Sequence, residues 1–248
     1  MLPVIVLALA AFVAGAQNAL AGGGSFLTFP ALLYMGLDPR AANIASSIAL
    51  FPGQITTGLA GRSMVAGAAG LSVQTLVWIS LIGGGIGAVL LLATPVSIFT
   101  HLVPYLVLFA TVVFAWGSFF SKRRAEDAPA PISPRMAMVA QMAIAIYGGY
   151  FGGGIGILML AALTAAGMAV RHAGATKNVL SGVMNVAAVV IFVARTHVPW
   201  GDVAIVAAAA IIGGQLGVYM LRRINITVLR VGITAIGLAL TVALFVKA

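Results

Sequence analysis

Of the 248 residues, 62% are hydrophobic and only 7% charged, and a mean hydropathy of +1.16 exceeds what a water-soluble domain carries, so the composition is that of an integral membrane protein. The lack of cysteine excludes disulfides, thiolate metal sites and cysteine nucleophiles, and the lack of polar–apolar alternation excludes a β-barrel. A net charge of +9 would suggest nucleic acid on a soluble protein, but here the basic residues sit in short loops, where they set topology, and no nucleic-acid partner is expected.

The chain opens on an apolar block that runs to about residue 37. No Lys or Arg precedes its first apolar run, so these residues read as mature structure and not as a signal peptide. Helices are expected near 42–61, 71–93 and 98–120, each long enough to cross ~30 Å of hydrocarbon. The segment SKRRAEDAPAPISPR (121–135) combines both signs of charge with three prolines and reads as a cytoplasmic linker. A second apolar block at about 136–168 follows, then helices near 172–194, 201–221 and 226–246.

The two halves, 1–120 and 136–248, share more than this plan. AGGGSFLTFPALLYMG, ending at Gly36, matches FGGGIGILMLAALTAAG, ending at Gly167, and Gly83, Gly84 and Gly87 find counterparts in Gly213, Gly214 and Gly217. An internal duplication accounts for both. If each block crossed the membrane once, placing the linker inside would leave seven Lys and Arg inside and six outside. If each block enters and leaves on one side, Arg62, Lys122, Arg123, Arg124, Arg135, Arg171, Lys177, Arg222, Arg223 and Arg230 lie inside, against Arg40, Arg195 and Lys247 outside. Ten against three satisfies the positive-inside rule and makes the halves inverted, with both termini on the outer side. The expected fold is therefore an all-α polytopic membrane protein of two inverted repeats, each a glycine-broken re-entrant helix block plus three transmembrane helices.

A block of about 33 residues is ~50 Å long as one helix, too long for one span and too short for two. Two half-helices of about a dozen residues, meeting near mid-membrane at Gly22, Gly23 and Gly24 or at Gly152, Gly153 and Gly154, resolve the mismatch. The alternative is that these glycines only let helices pack closely. Broken helices present unpaired N–H groups and positive dipole ends, a backbone site for an anion. Gln17, Asn18, Ser25 and Thr28 flank the first break; Asn43, Ser46, Ser47 and Gln54 follow on the next helix; and Thr176, Lys177, Asn178, Ser181 and Asn185 occupy its counterpart. The glycine triplets with Ser25, Asn43, Ser46, Ser47, Thr176, Lys177 and Asn178 are the candidate substrate-binding residues. Lys177 has two readings, as a buried charge for the substrate or as a stem that snorkels to the surface beside Arg171 and His172.

The four acids, Asp38, Glu126, Asp127 and Asp202, all fall in predicted loops or the linker, so nothing within the membrane suits a cation. No glycine cluster ends in the Gly-Lys-Ser/Thr of a phosphate-cradling loop, and no metal spacing or nucleophile–base pair occurs. The expectation is a non-enzymatic protein without cofactors, whose partners are the lipid bilayer and a small anionic substrate.

GGGSFLTFPALLYMGLDPRAANIASSIAL, GGYFGGGIGILML with RHAGATKNVLS, and GGGIGA together resemble the sulfite exporter TauE/SafE family, also called the toluene-sulfonate uptake permeases, over essentially the whole chain. The resemblance implies a multi-pass carrier of the bacterial inner membrane for sulfite, organosulfonates or related small sulfur-containing anions. Where the family often has threonine then serine, this chain has Ala45, Ser46 and Ser47, which displaces one hydroxyl. A passive anion channel, or a carrier for a carboxylate-type anion, is the alternative.

Overall fold

The computed structural model describes residues 2–20, 23–120, 132–220 and 226–247. They form ten α-helices: α1 (Leu2–Leu20), α2 (Ser25–Tyr34), α3 (Pro39–Ala60), α4 (Val73–Ala93), α5 (Val96–Ala115), α6 (Pro134–Tyr150), α7 (Ile155–Ala165), α8 (Val170–Arg195), α9 (Trp200–Met220) and α10 (Ile226–Lys247). The one strand-like feature among the described residues is a bridge between Ala68 and Leu71 in the loop before α4. By length and composition α4, α5 and α8 each suffice to cross a bilayer, and shorter apolar helices accompany them. The protein is thus an all-α polytopic membrane protein. Most of the linker, 121–131, lies outside the described residues. Its end does not belong to a linker, because Ser133 accepts a hydrogen bond from Met136 N and Pro134 occupies the first turn, so α6 starts two residues earlier than expected.

Both apolar blocks break at their glycine clusters. Gly23 has φ +87° and Gly154 φ +75°, left-handed backbone at which a Cβ would be strained. The expectation of two arms of a dozen residues each is corrected: the arms are 19 and 10 residues in the first block, 17 and 11 in the second. The break falls where the chain turns left-handed, and that position is late in each block. Glycines alone do not break the helix either. Gly148 and Gly149 stay within α6, and their missing side chains let it approach neighbours closely: a Cβ on Gly149 would strike Gly84 O, and one on Gly148 would strike Met184 Sδ. Both readings of the glycines hold, at different positions.

After its break each short arm folds back along the long one. A Cβ on Gly24 would lie 2.8 Å from Ala14 O, and one on Gly148 would lie 3.2 Å from Ile155 Cγ2. The second block enters and leaves on one face: Pro134 lies by Gly70, and the ring Nδ1 of His172, just beyond the block, is 2.8 Å from Met64 O. Helices α3 and α8 run antiparallel. Gly61 faces Ala175 near one end, while Arg40 and Arg195 share a groove at the other. Since α3 and α8 are counterparts, the halves run in opposite senses.

Inter-helix packing survives exchange of the halves: α1 lies on α9 as α6 lies on α4, α3 meets α9 as α8 meets α4, and α3–α8 and α5–α10 pair with their own equivalents. On this approximate two-fold, Gln54 and Asn185, 131 residues apart and equivalent in the repeat, are hydrogen-bonded to each other. The exchanged seams are glycine-lined. Gly83 and Gly87 seat α4 on Ala145 and Ile146 of α6, and Gly213 seats α9 on Phe12 of α1. Small residues permit such backbone approach in lipid, where packing and not water exclusion holds helices together. The side chain environment of Gly217 lies outside the described residues.

Candidate functional site

Non-helical backbone inside a membrane protein needs partners for its carbonyls, since lipid supplies none. Here side chains provide them. Gln17 Nε2 donates to Gly23 O at 3.2 Å and Thr28 Oγ1 to Gly24 O at 3.3 Å. Asn43 Nδ2 donates to Tyr150 O at 3.0 Å, Ser25 Oγ to Gly152 O at 3.5 Å, and Tyr147 Oη to Gly153 O at 2.9 Å. The two breaks therefore touch, with Ser25 and Ser47 both beside Gly152.

This assigns much of the expected site to bracing. Ser46 Oγ lies 2.6 Å from Thr28 Oγ1, and Ser47 Oγ donates to Asn43 O at 2.9 Å, so Asn43, Ser46 and Ser47 are engaged within the protein. Thr176 is not brought to the centre. Its hydroxyl accepts from Ala66 N at 3.1 Å and pins the loop between α3 and α4 to the start of α8. Gly22 lies outside the described residues.

The remaining candidates converge elsewhere. Lys177, two turns into α8, is 2% exposed and does not reach the surface beside Arg171 and His172, which are exposed. It lines a cavity of ≈ 10 Å³ with Asn18, Gln54, Thr57, Asn178 and Ser181, closed by Ile155 and Gly156 at the start of α7. The first intrahelical bond there is Ile157 N to Gly154 O at 3.1 Å, so the N–H groups of Ile155 and Gly156 precede the ladder and leave the positive end of α7 at the cavity. Among the described residues no carboxylate lines the space, and Lys177 has no ion-pair partner. An ammonium, a helix N-terminus and three carboxamides form a donor-rich set with a net positive field, the chemistry of an oxyanion site, while the hydroxyls of Thr57 and Ser181 in the same wall are turned to Gly53 O and Met159 Sδ. The space is that of about one water molecule, so the site is closed around itself.

Asn18 and Thr57 also line an adjoining cavity of ≈ 10 Å³ that reaches Gly15, Gly53, Ala210 and Gly214 along the α1–α9 seam. Thr57 was not among the residues singled out from sequence. Its signal was its spacing, three residues after Gln54 on the helix face that meets α8.

Comparison with known proteins places the chain among membrane transporters. The family pattern described as "Sulfite exporter TauE/SafE" matches residues 7–244. A probable membrane transporter protein of Haemophilus influenzae is 28% identical over 221 residues, covering 88% of this chain and 85% of that protein. The probable membrane transporter protein YfcA of Escherichia coli K12 is 26% identical over 220 residues, covering 86% and 78% respectively. The probable membrane transporter protein ORF9 of a Sinorhizobium species is 28% identical over 212 residues, covering 84% and 79%.

Proposed function

The chain belongs to the sulfite exporter TauE/SafE family of membrane transporters, and from that premise we propose that it is a secondary carrier of small sulfur-containing oxyanions, sulfite or organosulfonates, in a bacterial inner membrane. The observation that carries the reading is the buried, unpaired ammonium of Lys177 among Asn18, Gln54, Thr57, Asn178 and Ser181 at the N-terminus of α7. Sulfite and sulfonate groups present three oxygens as acceptors to such convergent donors. An isolated charge is costly in a membrane interior, and an anion that arrives with its own negative charge offsets that cost.

Transport follows as alternating access. A one-water space does not hold a four-atom anion, so loading requires that a short arm or a seam move. The inverted halves supply two equivalent ways to do so: displacement of α7 with α6 on one side, and of α2 with α1 on the other, about a site between them. The glycine seams α4–α6 and α1–α9 are the surfaces along which these hairpins would shift.

The test is flux in proteoliposomes loaded with sulfite, with organosulfonate and carboxylate competitors. A carrier saturates and shows counterflow of labelled substrate; non-saturating flux without counterflow would make it a passive channel. Preference for carboxylates over sulfonates would replace the substrate class.

A further inference from the structure

Far from the Lys177 cavity, at the face where α3 begins and α8 ends, a groove of ≈ 650 Å³ opens between α4 and α8. Its walls are apolar: Val89, Leu92, Val190 and Ile191 line it, with Val89 and Val190 more than half exposed. Its end is cationic. Arg40 and Arg195 both line it, and Arg40 Nη1 donates to Thr94 O at 3.1 Å, which fixes that guanidinium at the end of α4. Neither arginine has a carboxylate partner among the described residues, because Asp38 is spent on the backbone N–H groups of Arg40 and Ala41. Exposed Tyr34 and Trp200 lie close in sequence to the two arginines, the belt position of aromatic residues at the headgroup level.

These features belong together. Two guanidiniums at one groove repel unless an anion lies between them, and a guanidinium matches phosphate by paired N–H donors. Lys and Arg are scarce on this face, where the inverted topology leaves Arg40, Arg195 and Lys247 alone, so two of three meeting at one groove is not the scatter that sets topology. The apolar wall below them excludes a free hydrated anion as the whole ligand and fits an acyl chain. On the cytoplasmic side of membranes, basic pockets between transmembrane helices bind anionic lipid headgroups, and this groove presents the same chemistry to the outer leaflet.

We propose that this groove is a binding site for an anionic phospholipid, its phosphate held by Arg40 and Arg195 and one acyl chain laid between α4 and α8. The lipid would then bridge the end of α4 and the end of α8, one from each half.

The experiment uses the full chain purified in detergent and titrated with phosphatidylglycerol or phosphatidylcholine, read by native mass spectrometry and by thermal stability. One phosphatidylglycerol should be retained at least tenfold more tightly than phosphatidylcholine. Arg195→Gln, whose side chain is exposed, should lose most of that preference, and Arg40→Gln with Arg195→Gln all of it. Val190→Trp, which fills the groove and keeps both arginines, should also abolish retention. Equal retention of both lipids, or an unchanged preference in Arg195→Gln and Val190→Trp, overturns the proposal. Displacement of the lipid by millimolar inorganic phosphate would overturn it too, by showing a site for free anions.

Discussion

Replacing Lys177 by Met keeps the length and bulk of the side chain and removes the charge, and it should move stability and binding in opposite directions. Without substrate, the ammonium is a desolvated charge with no ion-pair partner among the described residues. Exchange of buried ionic groups for apolar residues of similar volume is commonly neutral to stabilising by ~1–4 kcal/mol. At ~2–4 °C per kcal/mol for a chain of this size, the empty variant should melt as much as several degrees higher than the parent. With substrate the sign reverses, because the anion loses its desolvated partner. Truncating one member of such a pair costs ~2–5 kcal/mol, or about 30-fold to several thousandfold in affinity at ~1.4 kcal/mol per tenfold. The assay is a thermal-shift titration with sulfite beside liposome flux. The parent should gain stability with ligand, while the variant should start higher and gain almost nothing. Wild-type affinity and flux in the variant would refute the reasoning and leave Lys177 a structural residue.

At the seams, a Cβ on Gly214 would lie 3.6 Å from Gly15 O, so Gly214→Ala should transport normally, whereas Gly214→Leu should abolish turnover with binding kept within about tenfold (~1.4 kcal/mol), measured by flux and by ligand titration. Gly84→Ala should instead lower expression and melting temperature, because its Cβ would meet the Met184 main chain. Gln54→Leu and Asn185→Met should each destabilise by ~1–3 kcal/mol through the unpaired amide left behind, while the double variant recovers most of the loss in a thermal double-mutant cycle. Thr176→Val should cost about 1 kcal/mol of stability with substrate affinity unchanged, separating it from the site by the same titration. Cysteines introduced at Ser121 and Ala248 should label from opposite sides of the membrane, and labelling of both from one side would contradict the re-entrant arrangement.

Much of the architecture was legible because hydropathy and charge report on lipid directly. Helix spans fell within a few residues of their expected ends, and the count of Lys and Arg led to inverted halves, which the antiparallel packing of α3 on α8 displays. What was not legible depended on neighbours distant in sequence. Nothing local distinguishes Gly149, which packs on Gly84, from Gly154, which turns the chain. Likewise Asn43 and Lys177 both read as polar residues one or two turns into a helix. One is consumed by Tyr150 O, 107 residues away, and the other lines a cavity. A hydrogen-bonding side chain beside a broken helix serves the backbone first, and only those left over are offered to a ligand.

The exchanged seams also dictate how the chain must be made. Helix α1 lies on α9, whose first residue emerges about 180 residues after the end of α1. At a synthesis rate of 5–20 residues per second, the first hairpin waits on the order of ten seconds or more before the surface it rests on exists. During that wait the face of α1 around Gly15 meets lipid or the insertion machinery and not Ala210, and its inner turn is held by bonds such as Gln17 to Gly23 and Thr28 to Gly24, joined by Ser46 once α3 emerges. The second hairpin has no such delay, since α4 is already in place when α6 emerges. Biogenesis is therefore lopsided where the finished molecule is nearly symmetric, and a defect that weakens the first hairpin's own bonds should be cleared by quality control before it ever has the chance to show a transport phenotype.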